Sequence, residues 1–224
     1  MTDIKDKFKN YKPYINGYKN MKRAAVLIPL VKKDNSYSIL FELRSKTMKR
    51  QPGEISFPGG IIENNESPKE ACLRETLEEI GIKEEDIDII SPLDVYVSHA
   101  NLIIHPYLGL IKNTDNLNLN ESEVDHVFLV PLNYLLDYDV TCYTNDVKVI
   151  PKDDFPYNKI PNKENYKFAV GKYSTLFYEY KNYIIWGITA KILENFLNFK
   201  TELKITILHR FNSREMLYQL AYDR

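Results

Sequence analysis

Cysteine is scarce in this chain: Cys72 and Cys142 are the only two among 224 residues. One bridge could form, but no disulfide framework, so a reducing, cytoplasmic setting is expected. Net charge is lacking as well. The 30 Lys and Arg nearly balance the 31 Asp and Glu, leaving −1. Without a general basic field no nucleic-acid partner is expected, and any phosphate must be gripped locally. The opening residues, MTDIKDKFKNYKPY, hold no apolar signal core. No stretch approaches the ~18 apolar residues of a membrane span, so no membrane partner is expected. Internal repeats and low-complexity linkers are also missing.

What is present is a globular composition, 44% hydrophobic and 27% charged. That suffices to bury a core and excludes compositional disorder. The length suits one substantial domain with some extra elements. We expect an N-terminal extension over 1–22, a main domain over 23–200 and a C-terminal extension over 201–224 packed on it.

RAAVLIPLV (23–31) is a continuous apolar run and reads as a buried strand. SYSILFELR (36–44) reads as a second strand, with hairpin-turn residues DNS between them. A basic loop follows, then a short strand EISF and a tight turn at Gly59 and Gly60. DIDIISPLDVYV and LIIHPYLGLI read as two more strands. HVFLVPL reads as a strand running into a short helix, and VTCYTNDVKVI and KFAVGKYSTLFYEY as later strands. GITAKILENFLNF reads as an amphipathic helix, with Trp186 expected in the core. The last 24 residues are ambiguous between strand plus helix and one helix. Mixed strands with few helices predict an α/β sandwich on a mixed sheet.

The clearest helix signal lies at 67–81. Ser67 can cap, Pro68 fits the first helical position, and Glu70 completes a capping box. Gly81 is a left-handed terminator. Leu73, Leu77 and Ile80 predict one apolar face for the core. Glu75, Glu78 and Glu79 fall at i, i+3 and i+4, so three carboxylates crowd one another unless a cation joins them. A hard divalent ion such as Mg²⁺ is the natural partner for oxygen ligands. A backbone carbonyl at Gly59 or Gly60 could complete its shell, Arg74 could orient a neighbouring carboxylate, and Glu66 could brace the loop.

Residues 60–82, GIIENNESPKEACLRETLEEIGI, resemble the Nudix box through Gly60, Glu66, Arg74, Glu75, Glu78, Glu79, Gly81 and Ile82. Thr76 stands where the pattern usually has an aliphatic residue. The resemblance implies a Nudix-type α/β/α sandwich with a mixed sheet, and hydrolysis of a nucleoside diphosphate linked to another group. It implies Glu75, Glu78 and Glu79 as ligands of Mg²⁺ or Mn²⁺, with Glu78 and Glu79 the essential pair. Upstream, ILFELRSKTMKRQPGEISFPGG resembles the signature of the coenzyme A pyrophosphatase subfamily. Arg44, Ser45, Gly53, Ile55, Ser56, Phe57, Pro58, Gly59 and Gly60 carry that match, which loosens at Glu42, Lys49 and Gln51. It implies a coenzyme A-like small-molecule substrate. Arg44 and Arg50 would bind phosphate, and Ser45, Ser56 and Phe57 would contact the ligand. Glu123, in ESEVDHVFLVPL, resembles a family glutamate on a loop facing the metals, a further shell residue or base. Two alternatives stay open: another Nudix activity such as ADP-ribose hydrolysis, and a non-catalytic nucleotide-sensing regulator. Whether the chain works as one copy or a homodimer is also open. The four histidines lack metal-ligand spacing, and Cys72 reads as packing.

Overall fold

The computed structural model describes residues 4–34, 36–114 and 117–199. The expected 201–224 extension lies outside the described residues. In chain order the elements are α1 (Ile4–Phe8), β1 (Lys22–Lys33), β2 (Ser36–Arg44), β3 (Ile55–Ser56), β4 (Gly59–Ile61) and α2 (Pro68–Ile80). Then come β5 (Ile87–Pro92), β6 (Tyr96–Ser98), β7 (Leu102–Ile111), β8 (Val124–Pro131) and α3 (Leu132–Asp137). The last are β9 (Thr141–Lys148), β10 (Val170–Tyr180), β11 (Tyr183–Trp186) and α4 (Gly187–Leu197). Among the described residues they form two compact units, residues 4–53 with 57–129, and 54–56 with 130–199.

The first unit is built on a mixed sheet in which β2, β1, β7 and β5 lie in that order. β1 runs parallel to β7 from Lys22↔Leu102 to Val31↔Ile111. A central strand is covered on both faces, which is why its sequence is an unbroken apolar run. β7 takes one edge of β1 along this whole length, so β2 and β4 share the other. β2 pairs at Leu30↔Ile39 through Lys33↔Ser36, and β4 pairs at Ala24↔Ile61 through Val26↔Gly59. Gly59 and Gly60 therefore sit in a short strand, not in the tight turn expected of them. The partner strand lies more than 30 residues upstream, beyond the reach of local turn chemistry. The expected strand DIDIISPLDVYV is in fact two, β5 and β6, both antiparallel to β7.

The boundaries of α2 fall where its caps predict. Glu70 N–H donates to Ser67 Oγ at 3.3 Å, and Ser67 N–H donates to Glu70 Oε2 at 2.8 Å. Gly81 closes the helix at φ 74, and its N–H donates to Leu77 O at 3.0 Å. The next exposed carbonyls, Ile80 O and Glu79 O, accept from Asn118 N–H (3.2 Å) and Asn120 N–H (2.9 Å). The helix packs Ala71, Cys72, Leu73 and Ile80 with Ala25, Leu27, Val31 and Leu40 of the sheet. Each buried Leu or Ile contributes about 1.5–3 kcal/mol. Leu77, expected in that face, is instead 47% exposed. The buried arc is rotated toward Thr76 and Glu79, which leaves Leu77 at its edge. Thr76 is fully buried, with its hydroxyl donating to Cys72 O at 2.7 Å, so the atypical residue of the box is satisfied within the helix.

In the second unit β9, β10 and β11 form an antiparallel sheet, with α4 against β10 and β11. Leu176, Tyr178, Ile185, Leu193 and Phe196 are buried there. Trp186, expected in the core, is 43% exposed and stacks on its cross-strand partner Phe177. No helix among the described residues is long and apolar enough to cross a membrane.

Candidate active site

Arg74 organises the outer half of the site. Its Nε donates to Glu66 Oε1 at 2.8 Å and its Nη2 to Glu66 Oε2 at 3.1 Å, a bidentate pair. Nη1 reaches Glu75 Oε1 at 2.9 Å and Glu78 Oε2 at 3.0 Å, and Nη2 also reaches Ile61 O at 3.1 Å. Glu66 in turn accepts from Glu63 N–H at 3.0 Å, so it braces the loop before the helix. The guanidinium hydrogen bonds, then that loop amide, hold the Glu66 carboxyl below its usual range.

The three expected ligand carboxylates meet three different environments. Glu78 is half exposed, Glu75 is partly buried and Glu79 is 3% exposed. Glu79 Oε2 accepts from Gly59 N–H at 2.7 Å, which ties the helix to β4. Burial, the Glu42 charge and the Glu75 charge push the Glu79 carboxyl up, against the Gly59 hydrogen bond and Arg44. Burial likewise raises Glu75, opposed by Arg74 and assisted by Glu78 and Glu123. Gly60 has a steric reason to be glycine: a Cβ there would collide with the Glu75 carboxylate.

Glu123 is brought beside this set by backbone alone. Ser45 N–H donates to Glu123 O at 2.7 Å, which joins the end of β2 to the 120–124 loop. Arg44 is partly buried, with Nη1 4.0 Å from Glu42 Oε1, and its Nε finds no acceptor among the described residues. Glu42, fully buried on β2, is the residue that sequence reasoning missed. A signal was available: Glu42 shares a strand face with Leu40 inside the apolar stretch ILFEL. Of the other expected ligand contacts, Arg50 is exposed on the loop after β2, and Ser56 is half-buried in β3. Ser45 is buried, its hydroxyl 2.9 Å from Thr47 Oγ1. Phe57 is 3% exposed, and its ring stacks on Phe41 at 5.0 Å as part of the core.

Among the described residues, no three His, Cys, Asp or Glu side chains are already gathered as a cage for a metal. Arg74 occupies the gap between Glu75 and Glu78. The donor chemistry still fits a hard divalent ion. Glu75, Glu79, Glu42 and Glu123 offer only oxygens, the neighbouring carboxylate charges push the Glu75 and Glu79 carboxyls up, and glycine at position 60 keeps the space beside Glu75 clear. Such a set can concentrate positive charge against an anionic group and can accept a proton from water.

Comparison with known proteins agrees with this geometry. The family model of the NUDIX domain matches residues 21–151. The peroxisomal coenzyme A diphosphatase NUDT7 of Mus musculus is 34% identical over 113 residues, 50% of this chain and 48% of that protein. The peroxisomal coenzyme A diphosphatase ndx-8 of Caenorhabditis elegans is 32% identical over 119 residues, 51% of this chain and 50% of that protein. The uncharacterized Nudix hydrolase NudL of Citrobacter koseri is 31% identical over 138 residues, 61% of this chain and 71% of that protein. The chain thus spans about half the length of the two diphosphatases it matches. With more than half of its residues under the family match and the box glutamates grouped on one helix, the chain belongs to the Nudix family.

Proposed function

We propose that this chain is a cation-dependent pyrophosphohydrolase. Its substrate is coenzyme A, or an acyl or oxidised form, which is cut to 3′,5′-ADP and 4′-phosphopantetheine. The observation that carries this reading is the placement of Glu75, Glu78 and Glu79 on one helix backed by a packed core, with Arg74 holding the first two and the Gly59 amide the third. Glu75, Glu78 and Glu79, with backbone carbonyls of Gly59 and Gly60, would hold Mg²⁺ or Mn²⁺. When bound, the cation supplies charge neutralisation at the phosphate oxygens and a more acidic water. The chain's own residues do the rest. Arg74 fixes Glu75 and Glu78, so their oxygens do not have to be ordered at the moment of reaction. The Gly59 amide does the same for Glu79. Glu78, Glu79 or Glu123 takes the proton from the attacking water. Arg44, whose Nε awaits an acceptor, grips a phosphate with its planar fork, and Arg50 supplies a second cation for the remaining phosphate.

Two things support the choice of substrate. The segment from Arg44 to Gly60 resembles the coenzyme A pyrophosphatase signature, and two of the relatives carry that activity in their names. The test is direct. The purified chain is incubated with coenzyme A, ADP-ribose, NADH and diadenosine polyphosphates, with Mg²⁺ or Mn²⁺, and the products are separated. Coenzyme A should give 3′,5′-ADP, and a Glu78→Gln, Glu79→Gln double variant should stay folded and lose turnover on the order of 10³-fold or more. Preferred cleavage of ADP-ribose would move the substrate assignment. Full turnover in the double variant would end the mechanism.

A further inference from the structure

The residues that precede β8 fold back onto the end of α2. Leu117 and Leu119 pack against the core cluster that backs the helix, and Val124, the first residue of β8, is fully buried in it. Between these anchors the polar residues meet the helix terminus. Asn118 N–H donates to Ile80 O at 3.2 Å and Asn120 N–H to Glu79 O at 2.9 Å, so this loop satisfies two carbonyls that a helix end leaves open. Gly81 lets the loop come this close, since a Cβ there would stand 2.8 Å from Asn118. Asn120 then makes the turn that carries Glu123. Its carbonyl accepts from Glu123 N–H and Val124 N–H, both at 2.8 Å. Its Oδ1 accepts from Ser122 N–H at 3.2 Å and from Ser122 Oγ at 2.6 Å. An asparagine used in this way mimics a further backbone turn and fixes the chain reversal. A single residue thus joins the Glu79 carbonyl to the Glu123 amide. Glu123 O accepts in turn from Ser45 N–H at 2.7 Å. The Glu123 carboxylate itself makes no hydrogen bond or ion pair among the described residues, so its place is set by the turn that carries it.

We propose that Asn120 is a positioning residue for the hydrolysis: its amide holds the end of the box helix, its carbonyl and Oδ1 hold the 121–124 turn, and Glu123 is thereby kept at a fixed place relative to Glu79. Asn120 touches no reacting atom and acts through Glu123. This rests on the cation-dependent reading above and on a working role for Glu123 within it. Reaction depends on placement to within about an ångström, so a loosened turn lowers turnover and leaves substrate affinity in place.

The test is a double-mutant cycle on coenzyme A hydrolysis with Mg²⁺, run at a temperature where circular dichroism shows every variant folded. Asn120→Ala removes Oδ1 and keeps the backbone bonds. Its kcat should fall on the order of tenfold, with KM changed by less than about twofold. Asn120→Ser, whose hydroxyl takes the Ser122 amide more weakly and adds no charge, should recover part of that loss. In a Glu123→Gln background, itself slower on the order of 10²-fold, Asn120→Ala should cost nothing further, because the group it places is already gone. Wild-type kcat in Asn120→Ala overturns the proposal. An equal loss in both backgrounds also overturns it, since a general weakening of the fold gives that result. If Asn120→Ala does not fold, the same cycle with Ser122→Ala, which removes one donor to Oδ1, decides by the same criterion. Full turnover in Glu123→Gln removes the role of Glu123, and the proposal with it, while the reading of the box helix stands. Wild-type protein that cuts no diphosphate with either cation removes the reading on which the proposal rests.

Discussion

The two ends of α2 obey opposite rules. At its N-terminus the carboxylates are placed for stability. Ser67 and Glu70 satisfy each other's backbone amides, and Glu66 is clamped by Arg74. Carboxylates at that end also suit the positive pole of the helix dipole. At the C-terminal end Glu75, Glu78 and Glu79 crowd the negative pole, one of them buried beside Glu42. Dipole and burial rules agree at the first end and are broken together at the second, although Gly81 caps it as well. A fold gives up stability in this way where a ligand returns it, so the difference locates the function as well as the fold. Arg74 is the bridge between the ends, since it touches Glu66 on one side and Glu75 and Glu78 on the other.

Breaking that bridge should have the largest effect on stability. Arg74→Ala leaves three carboxylates facing one another without their shared cation. The side chain is 27% exposed, so solvent softens the loss. Unfolding by urea should show about 2–3 kcal/mol less stability. Arg74→Lys should recover only part, because an ammonium cannot hold Glu66 bidentately while reaching Glu75 and Glu78. Equal stability of Arg74→Ala and wild type would mean that the two ends are not coupled.

The second prediction concerns the C-terminal end alone. The Glu79 carboxyl is raised above its ordinary 4.5, chiefly by burial and then by Glu42. A folded state with a raised carboxyl pKa is favoured while the group can keep its proton. That advantage is complete below about 4.5 and is lost as pH climbs toward the raised value. Metal-free wild type should therefore lose stability between pH 5 and pH 8. Glu79→Gln should flatten that fall and be more stable than wild type at pH 8, by about 2 kcal/mol. Parallel profiles for the two proteins would show that Glu79 is ionised in the fold at no cost.

Legibility in the sequence follows the same division. The N-terminal end of α2 is governed by residues three or four apart, so its cap, its first turn and its length could be read directly. The chemistry of the box could be read as well, because its carboxylates lie within five residues on one helix. What escaped depends on contacts across the sheet. The burial of Phe57 against Phe41, and the pairing of Gly59 and Gly60 with Val26 and Ala25, join segments with no local signature. Glu42 was passed over because the resemblance to relatives loosens at its position, although its alternation with Leu40 placed it on an inward face. Leu77 was misplaced for a subtler reason. Periodicity gives the centre of an apolar stripe but not its edges, and the inward turn of Glu79 shifts that stripe away from Leu77.

The smallest predicted effect is the sharpest control on the comparison. Ser67→Ala removes one acceptor, the oxygen that takes the Glu70 amide, while the other half of the capping box has its own donor in the Ser67 backbone. The cost should be about 1 kcal/mol, read from the shift of a urea midpoint at unchanged slope. Nothing at the C-terminal end of α2 depends on that oxygen, so diphosphate hydrolysis at a temperature where the variant is fully folded should match the wild type. A variant that lost activity in step with Glu78→Gln, Glu79→Gln would show that the two ends act as one device, and the assignment of stability to one end and chemistry to the other would fail.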